Sequence, residues 1–438
     1  MAYLWTEFES YLATKLEELP IAGLAIAVSQ NGETIYKKGF GSRNLQSMEP
    51  VTPETIFGVA SITKSLTALA MITLDSEGAL SIDDAVIKYL PDFKLHHVKN
   101  MSDIKIYHLL SHSTGLAPIA RKEEINNLPD HLTHLSSAEH ISLGQPGEYF
   151  SYCNDTFLLA GAIIEKVTGK LYRRYITEKF LNPLQMYRST YSLEEVEKYE
   201  NVTIPYTYNP NQNEYEQQPW PKLGNYEVGG GLRSTVEDLL KYGQVYLDLQ
   251  YTKDKHPSKE KTLSKMWTNL IKVRQNSFYG YGLLATANYS NVTLVEHGGS
   301  QPGVSSHFGF IPEKNVVVAV LCNVSNVPVK DIWLRAVNTV LQLPLEQKRY
   351  VLSSYEATPN ELESIIGAYS SAEGHHVQIY FFEGQLLAEA NGEKMALSVV
   401  DNETILINKS GETIQLYFNS NEARPWSILF GMRMLTRI

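Results

Sequence analysis

Cysteine is nearly absent, with only Cys153 and Cys322 in 438 residues. Two thiols cannot build the disulfide framework of a small secreted scaffold, and the sequence does not show that they pair. No apolar run approaches the length of a membrane span, so no membrane partner is expected. The opening stretch, MAYLWTEFESYLATKLEELP, lacks the basic start and apolar middle of a secretory signal. It carries Glu7, Glu9, Glu17 and Glu18, while Leu4, Phe8, Tyr11, Leu12 and Leu16 recur at helical spacing. This predicts an amphipathic helix and a soluble, cytoplasmic protein. A basic stripe is missing as well, and the formal net charge is −10, which excludes nucleic acid as an expected partner. Lys253, Lys255, Lys259 and Lys261 cluster, but they alternate with Asp254 and Glu260 and read as a solvated loop. No tract is biased enough to suggest disorder, and no solenoid-type repeat is present.

What remains is ordinary globular text, 43% apolar and 20% charged, long enough for one large domain and a smaller one. After the first helix, GLAIAVSQNGETIYKKGFG places two strand-like runs around Asn31-Gly32, a strong hairpin signal. The next 240 or so residues read as mainly helical. Ser81 with Asp84 predicts a helix start before AVIKYL, and Ser234 with Glu237 predicts a capping box. IYHLLSH and TFLLAGAIIEKVTG have helical apolar spacing. From about residue 280 strands return in YGLLATAN, VTLVEH, VSSHFGFIP and VVVAVLC. A helix then follows in VPVKDIWLRAVNTVLQL, with Pro328 near its start.

Strands and helices at both ends and helices between them predict an α+β fold. Its antiparallel sheet has flanking helices and an inserted helical region. The expected limits of this domain are 1–345, with a linker around 343–360. A second domain, 358–438, breaks into six short strands, HVQIYFF to SILF, separated by tight turns such as Glu383-Gly384 and Asn391-Gly392. That pattern predicts a small antiparallel β-barrel.

The chemistry is concentrated in three short motifs. In ASITKSLTA, Ser61 and Lys64 leave the same face of a helix that is apolar around most of its circumference and ends at Gly78. A lysine there is costly to desolvate, and an isolated SxxK recurs by chance, so partners decide its meaning. Two other stretches can supply them. PGEYFSYCN brings Tyr152-Cys153-Asn154 just before a helix, and EHGGSQPG brings His297-Gly298-Gly299 at the end of a strand, where glycines admit a close backbone approach.

Taken in this order, with FGVASITK, HLLSHSTGL, PGEYFSYCN, GGGLRSTVEDL and HGGSQPGVSS around them, the motifs resemble the serine beta-lactamase-like and penicillin-binding proteins of the class C type. The likeness spans roughly residues 20 to 340. It implies that Ser61 is the acylating nucleophile, that Lys64 helps remove its proton, and that Tyr152 is the general base. Asn154 would orient Lys64 and the substrate, His297 and Gly299 would line the substrate-aligning strand, and the backbone N–H groups of Ser61 and Ser300 would form the oxyanion hole. No cofactor and no metal are implied. Unperturbed Tyr and Lys titrate near ~10 and ~10.4, so neither is a base at neutral pH alone. Side by side, the cation favours tyrosinate and burial favours neutral lysine, and the pair becomes a shared proton acceptor.

The family's KTG motif is replaced here by His297-Gly298-Gly299, which removes the lysine and threonine that meet a penicillin carboxylate. The resemblance therefore implies a peptidase or aminopeptidase on D-residue-containing peptides, or a carboxylesterase, acting on a small-molecule or peptide substrate. The alternatives are a penicillin-binding protein or weak beta-lactamase, or a non-catalytic scaffold or ligand-binding protein. The carboxy-terminal strands resemble the lipocalin-like domain attached to some peptidases of this group. Oligomeric state is not written in the sequence, and a homo-oligomer is one of the states it allows. His108 and His112 are four apart on a predicted helix, but the same segment is structural in the family; His131 and His134 have no third ligand. Cys153 reads as a buried packing thiol. The aromatic stretch from Tyr206 to Tyr226, with Trp220, reads either as a pocket wall or as an ordinary ordered loop.

Overall fold

The computed structural model describes residues 5–438 except 97, 121, 123, 138–140, 225–226, 248–262, 269, 350–354 and 421. The lysine cluster at 253–261, Tyr226 and part of the expected linker lie outside the described residues. The chain forms two compact units. The first comprises Met1–Ile82, Ala160–Thr268 and Gly280–Gln347, and the second Asp83–Leu159, Asn269–Tyr279 and Lys348–Ile438.

The sheet of the first unit is built from β1 (Gly23–Gln30), β2 (Glu33–Asn44), β3 (Glu49–Pro50), β4 (Leu284–Tyr289), β5 (Val292–Gln301), β6 (Val304–Ile311) and β7 (Val316–Cys322). Their order is β3-β2-β1-β7-β6-β5-β4, with neighbours antiparallel throughout. The predicted Asn31-Gly32 turn joins β1 to β2. Both residues have positive φ, 54° and 81°, which is the geometry a two-residue hairpin requires. The longer helices described in this unit are α1 (Thr6–Glu18), α2 (Thr63–Ser76), part of α3 (Asn154–Thr168), α4 (Val236–Gln244) and α5 (Val329–Val340). The division between the units falls within α3.

Both faces of the sheet are covered, which is why β7 reads VVVAVLC without alternation and is buried along its length. Leu24, Ile26 and Val28 of β1, with Val316, Val318 and Val320 of β7, pack with Phe8 and Leu12 of α1 and Trp333 and Val337 of α5. On the opposite face Phe308 and Phe310 stack on Tyr242 and Tyr246, in and just after α4. Each such side chain contributes about 1.5–3 kcal/mol of burial.

Two local expectations differ from the structure. AVIKYL is only a 3-10 turn at Val86–Lys88, because Ala85 is extended (φ −65°, ψ 137°) and bridges Lys105. The α4 cap is Thr235, whose side chain accepts the Asp238 N–H (3.1 Å), whereas the Ser234 hydroxyl bonds Ser189.

The second unit holds the first residues of α3, short helices at Ile106–Leu110 and Leu128–Ser137, and a hairpin of Ile271–Arg274 with Ser277–Tyr279. It also holds α6 (Pro359–Ile365) and a closed eight-stranded antiparallel barrel. The barrel strands are β8 (Gly367–Ser370), β9 (His376–Phe382), β10 (Gln385–Ala390), β11 (Glu393–Val399), β12 (Thr404–Ile407), β13 (Thr413–Phe418), β14 (Pro425–Phe430) and β15 (Arg433–Arg437). The first and last of these were not among the six strands expected. β15 looks like surface because it carries two arginines, yet the Arg437 guanidinium donates to Tyr369 Oη (3.0 Å) and to backbone carbonyls. Tyr369, Val377, Ile379, Ala388, Ile405, Ile414, Ile428 and Leu435 are buried in the barrel core, and Leu362 and Ile365 of α6 pack on it. A cavity of about 230 Å³ is lined by Tyr355, Glu361, Ile365, Leu416 and Phe418 among others.

Candidate active site

Ser61 sits in a 3-10 turn, Ala60–Ile62, that runs into α2, and Lys64 lies in the first turn of that helix. The turn is entered through an unfavourable backbone. Ala60 has φ +46°, a left-handed conformation that costs a non-glycine residue about 1–2 kcal/mol. The surroundings over-determine it. The Val59 N–H donates to Leu232 O (3.1 Å), Ser306 Oγ donates to Val59 O (2.8 Å), and Thr63 Oγ1 donates to Ala60 O (2.6 Å). The Leu232 N–H in turn donates to Thr63 Oγ1 (3.2 Å).

Lys64 is 1% exposed, and its Nζ donates to Ser61 Oγ (3.2 Å) and Gly229 O (2.8 Å). The amine is thus buried beside the hydroxyl and oriented by a backbone carbonyl. Its neighbour Thr67 donates to Val228 O (2.7 Å), so the carbonyls of the short helix Glu227–Gly230 bracket this face of α2.

β5 carries His297, Gly299 and Ser300, and Gly299 pairs with Ser306 of β6. A Cβ at Gly299 would lie 2.3 Å from both Ser306 Oγ and Val59 O, so only glycine lets this strand approach the turn that holds Ser61. His297 is buried, and its Nδ1 lies 2.6 Å from Gly298 O. A carbonyl only accepts, so Nδ1 carries the proton and Nε2 the lone pair. Burial, reinforced by the Lys64 cation, pushes the imidazole down to about 3. Behind it Glu296 and His307 form a buried pair at 3.1 Å. Ser300 is exposed on β5.

Tyr152 and Asn154 belong to the second unit, and Asn154 is the first residue of α3. The backbone of the Tyr152 segment is pinned from two directions. His112, itself at φ +53°, accepts the Ser151 N–H on its carbonyl (2.9 Å) and the Cys153 N–H on Nδ1 (3.2 Å). From the barrel, Met432 O accepts the Tyr152 N–H (2.8 Å), and the Met434 N–H donates to Ser151 Oγ (3.2 Å). The Tyr152 ring packs on His112 (centroids 4.0 Å apart), and the Arg433 guanidinium carbon lies 5.1 Å from its centroid. Burial, then Asp155, pushes the Cys153 thiol up to about 12, the state of an inert packing group.

His108 and His131 are engaged locally. His108 Nδ1 accepts the Lys105 N–H (3.0 Å), and burial pushes the ring down to about 4. His131 lies 3.5 Å from Asp155. Trp220 covers the buried Arg233 guanidinium at 5.5 Å. The structure therefore brings Ser61, Lys64, His297 and Gly299 into one unit and Tyr152 with Asn154 into the other. Sequence reasoning missed Ala60, Ser306, Gly229, His112 and the Met432–Met434 stretch. Ala60, Gly229, His112 and Ser306 lie in the quoted motif surroundings, but only their contacts in the folded chain give them these roles.

Residues 8–340 match the beta-lactamase family model. Protein flp of Staphylococcus aureus (strain NCTC 8325 / PS 47) is 27% identical over 73% of this chain and 63% of its own length. Penicillin-binding protein 4* of Bacillus subtilis (strain 168) is 27% identical over 64% of this chain and 63% of its own. The chain thus spans less than two thirds of these curated relatives. The octameric penicillin-binding protein homologue from Pyrococcus abyssi superposes with a TM-score of 0.71 at 31% identity, covering 98% of this chain and 99% of that one. With the family model extending over most of the chain, the protein belongs to the beta-lactamase family.

Proposed function

We propose that the protein forms an acyl-enzyme at Ser61 and hydrolyses ester or amide bonds. The observation that carries this reading is the buried Lys64 Nζ, 3.2 Å from Ser61 Oγ and oriented by Gly229 O. A scaffold has no use for a desolvated amine aimed at a serine hydroxyl. In acylation, Ser61 Oγ bonds the substrate carbonyl carbon while its proton passes to the Lys64–Tyr152 acceptor. The backbone N–H groups of Ser61 and Ser300 receive the oxyanion, and collapse expels the alcohol or amine with that proton. Water then attacks the ester by the reverse path and frees Ser61. Asn154 orients Lys64, and His297 and Gly299 align the substrate along β5.

Substrate class follows from charge. A neutral imidazole stands where a lysine would hold a carboxylate, and it stays neutral down to about pH 3. This favours a peptidase on D-residue-containing peptides or a carboxylesterase over a penicillin-binding protein or beta-lactamase. The barrel is read as a lipocalin-like domain. The limits 1–345 and 358–438, a cytoplasmic location and a homo-oligomer complete the proposal. For location, no helix among the described residues is long and apolar enough to cross a membrane; for assembly, the Pyrococcus homologue is octameric.

Intact-mass analysis after exposure to a fluorophosphonate, a short acyl ester and penicillin tests the reading. One fluorophosphonate adduct, abolished by Ser61→Ala and retained by Cys153→Ser, is expected, with an ester adduct and no penicillin adduct. Full labelling of Ser61→Ala would overturn the assignment.

A further inference from the structure

The replacement of the KTG lysine leaves β5 without a fixed cation, yet the second unit supplies one to Tyr152 from an unrelated part of the chain. The turn between β14 and β15, with the first two residues of β15, meets the Tyr152 segment through three contacts: Met432 O with the Tyr152 N–H, the Met434 N–H with Ser151 Oγ, and the Arg433 guanidinium 5.1 Å from the Tyr152 ring centroid. The turn is anchored at both sides. Arg274 Nη2 donates to Gly431 O (3.1 Å), and Arg433 Nε is ion-paired with Glu373. Guanidinium is charged at every working pH and sits well against an aromatic face.

We propose that Arg433 is a positioning residue that holds Tyr152 in place and supplies its fixed positive neighbour, so that the barrel completes the base. This rests on the reading of Tyr152 as general base. The other groups facing the ring do not substitute for Arg433. His112 accepts the Cys153 N–H on Nδ1, a bond that only a neutral imidazole can make. Burial holds the Tyr279 phenol well above its usual range and the Cys153 thiol up at about 12, so both stay neutral. Burial, then Arg433, pushes His375 below its usual value. Asp155 follows on the segment itself and lies against His131, and Glu373 is the counter-charge of Arg433. Arg274 is a further cation of this unit, and its Nη2 is committed to the turn's carbonyl and to Met432 Sδ.

The test is the pH dependence of kcat/KM for a neutral ester, measured on the full chain. An opposite charge within ~4–6 Å favours an ionised acid by about one pH unit or more. Arg433→Gln should therefore move the ascending limb up by about one unit and slow the reaction at pH 7 about tenfold. Arg433→Lys should keep the limb within a few tenths of a unit. Glu373→Gln keeps an acceptor for Arg433 but removes the opposing charge, so it should move the limb down. It provides the sign test should Arg433→Gln fail to fold. An unmoved limb in Arg433→Gln, or an unmoved or raised limb in Glu373→Gln, would overturn the proposal. Ser61→Ala and Tyr152→Phe run alongside: if Tyr152→Phe turns over at full rate the functional reading fails, and if it is inactive while the limbs stay put, this inference alone fails.

Discussion

Around Ser61 the chain accepts local cost for position. Ala60 keeps a left-handed backbone, Gly299 gives up a side chain, and Ser306 spends its hydroxyl on Val59 O, all to bring β5 against the turn that carries the nucleophile. Gly299→Ala forces a methyl to 2.3 Å from two oxygens. It should cost about 1–3 kcal/mol of stability and, by displacing the strand, on the order of a hundredfold in kcat/KM. Thermal unfolding and ester kinetics together check this; a variant with wild-type kinetics would show that the approach is not needed. His297 gives a second outcome at this scale. Because burial and then Lys64 keep it neutral down to about pH 3, no rate limb between pH 5 and 8 belongs to it. His297→Asn should lower the rate without moving the limb, and a shifted limb would refute the point. Ser61 and Lys64 were legible because their spacing is a helical turn, a property of nine residues. Ala60 and Ser306 were not, since their roles exist only where residues 59 and 306 meet.

Among the elements, periodicity read the covered faces well and the ends poorly. The buried β7 and the α5 helix follow directly from apolar runs and Pro328, whereas Ser81 misled, because the Ala85–Lys105 bridge takes the backbone that a helix would need. Shifting the α4 cap by one residue has a measurable consequence. Thr235→Ala should cost about 1 kcal/mol through the lost Asp238 N–H bond. Barrel strands β8 and β15 escaped because one is short and glycine-led and the other arginine-rich. Their turn to β14 also changes what a truncation does. Ending the chain at Leu345 leaves Ser61 and Lys64 intact, but it removes Met432 and Met434 from the Tyr152 segment and Tyr417 and Trp426 from the Tyr149 ring. Such a chain, if soluble, should lose most of its acylation by a small ester; undiminished acylation would show that the barrel is dispensable to the centre.

For the whole molecule, the pH range of stability follows from three buried histidines. Burial pushes His108 and His131 down to about 4 and His297 to about 3, while in the unfolded chain each titrates near ~6.5. Between those values the unfolded chain binds more protons than the folded one, so stability is full above about pH 6.5 and falls as the pH drops toward 4. Each contributes on the order of 1–3 kcal/mol to that loss. Urea unfolding at pH 7.5 and 4.5 should show a lower midpoint at the acid value, and substituting His108 by Gln should flatten the difference. Equal midpoints would mean that the rings gain protons without unfolding.

The central place of β1 has a further consequence, in the order of folding events. Its residues from Gly23 to Ser29 are all buried, and one neighbour, β2, is reached by a two-residue turn. The other, β7, arrives far later in the chain: the Gly23 N–H is bonded to Asn323 Oδ1, 300 positions away. Until that distant strand is captured, the first hairpin presents an apolar strand with one open edge, the geometry that pairs indiscriminately with other chains. Refolding yield should therefore be set by a race between capture of β7 and self-association. It should fall as protein concentration rises, and recover when a charged residue on the open edge of β1 slows the competing reaction.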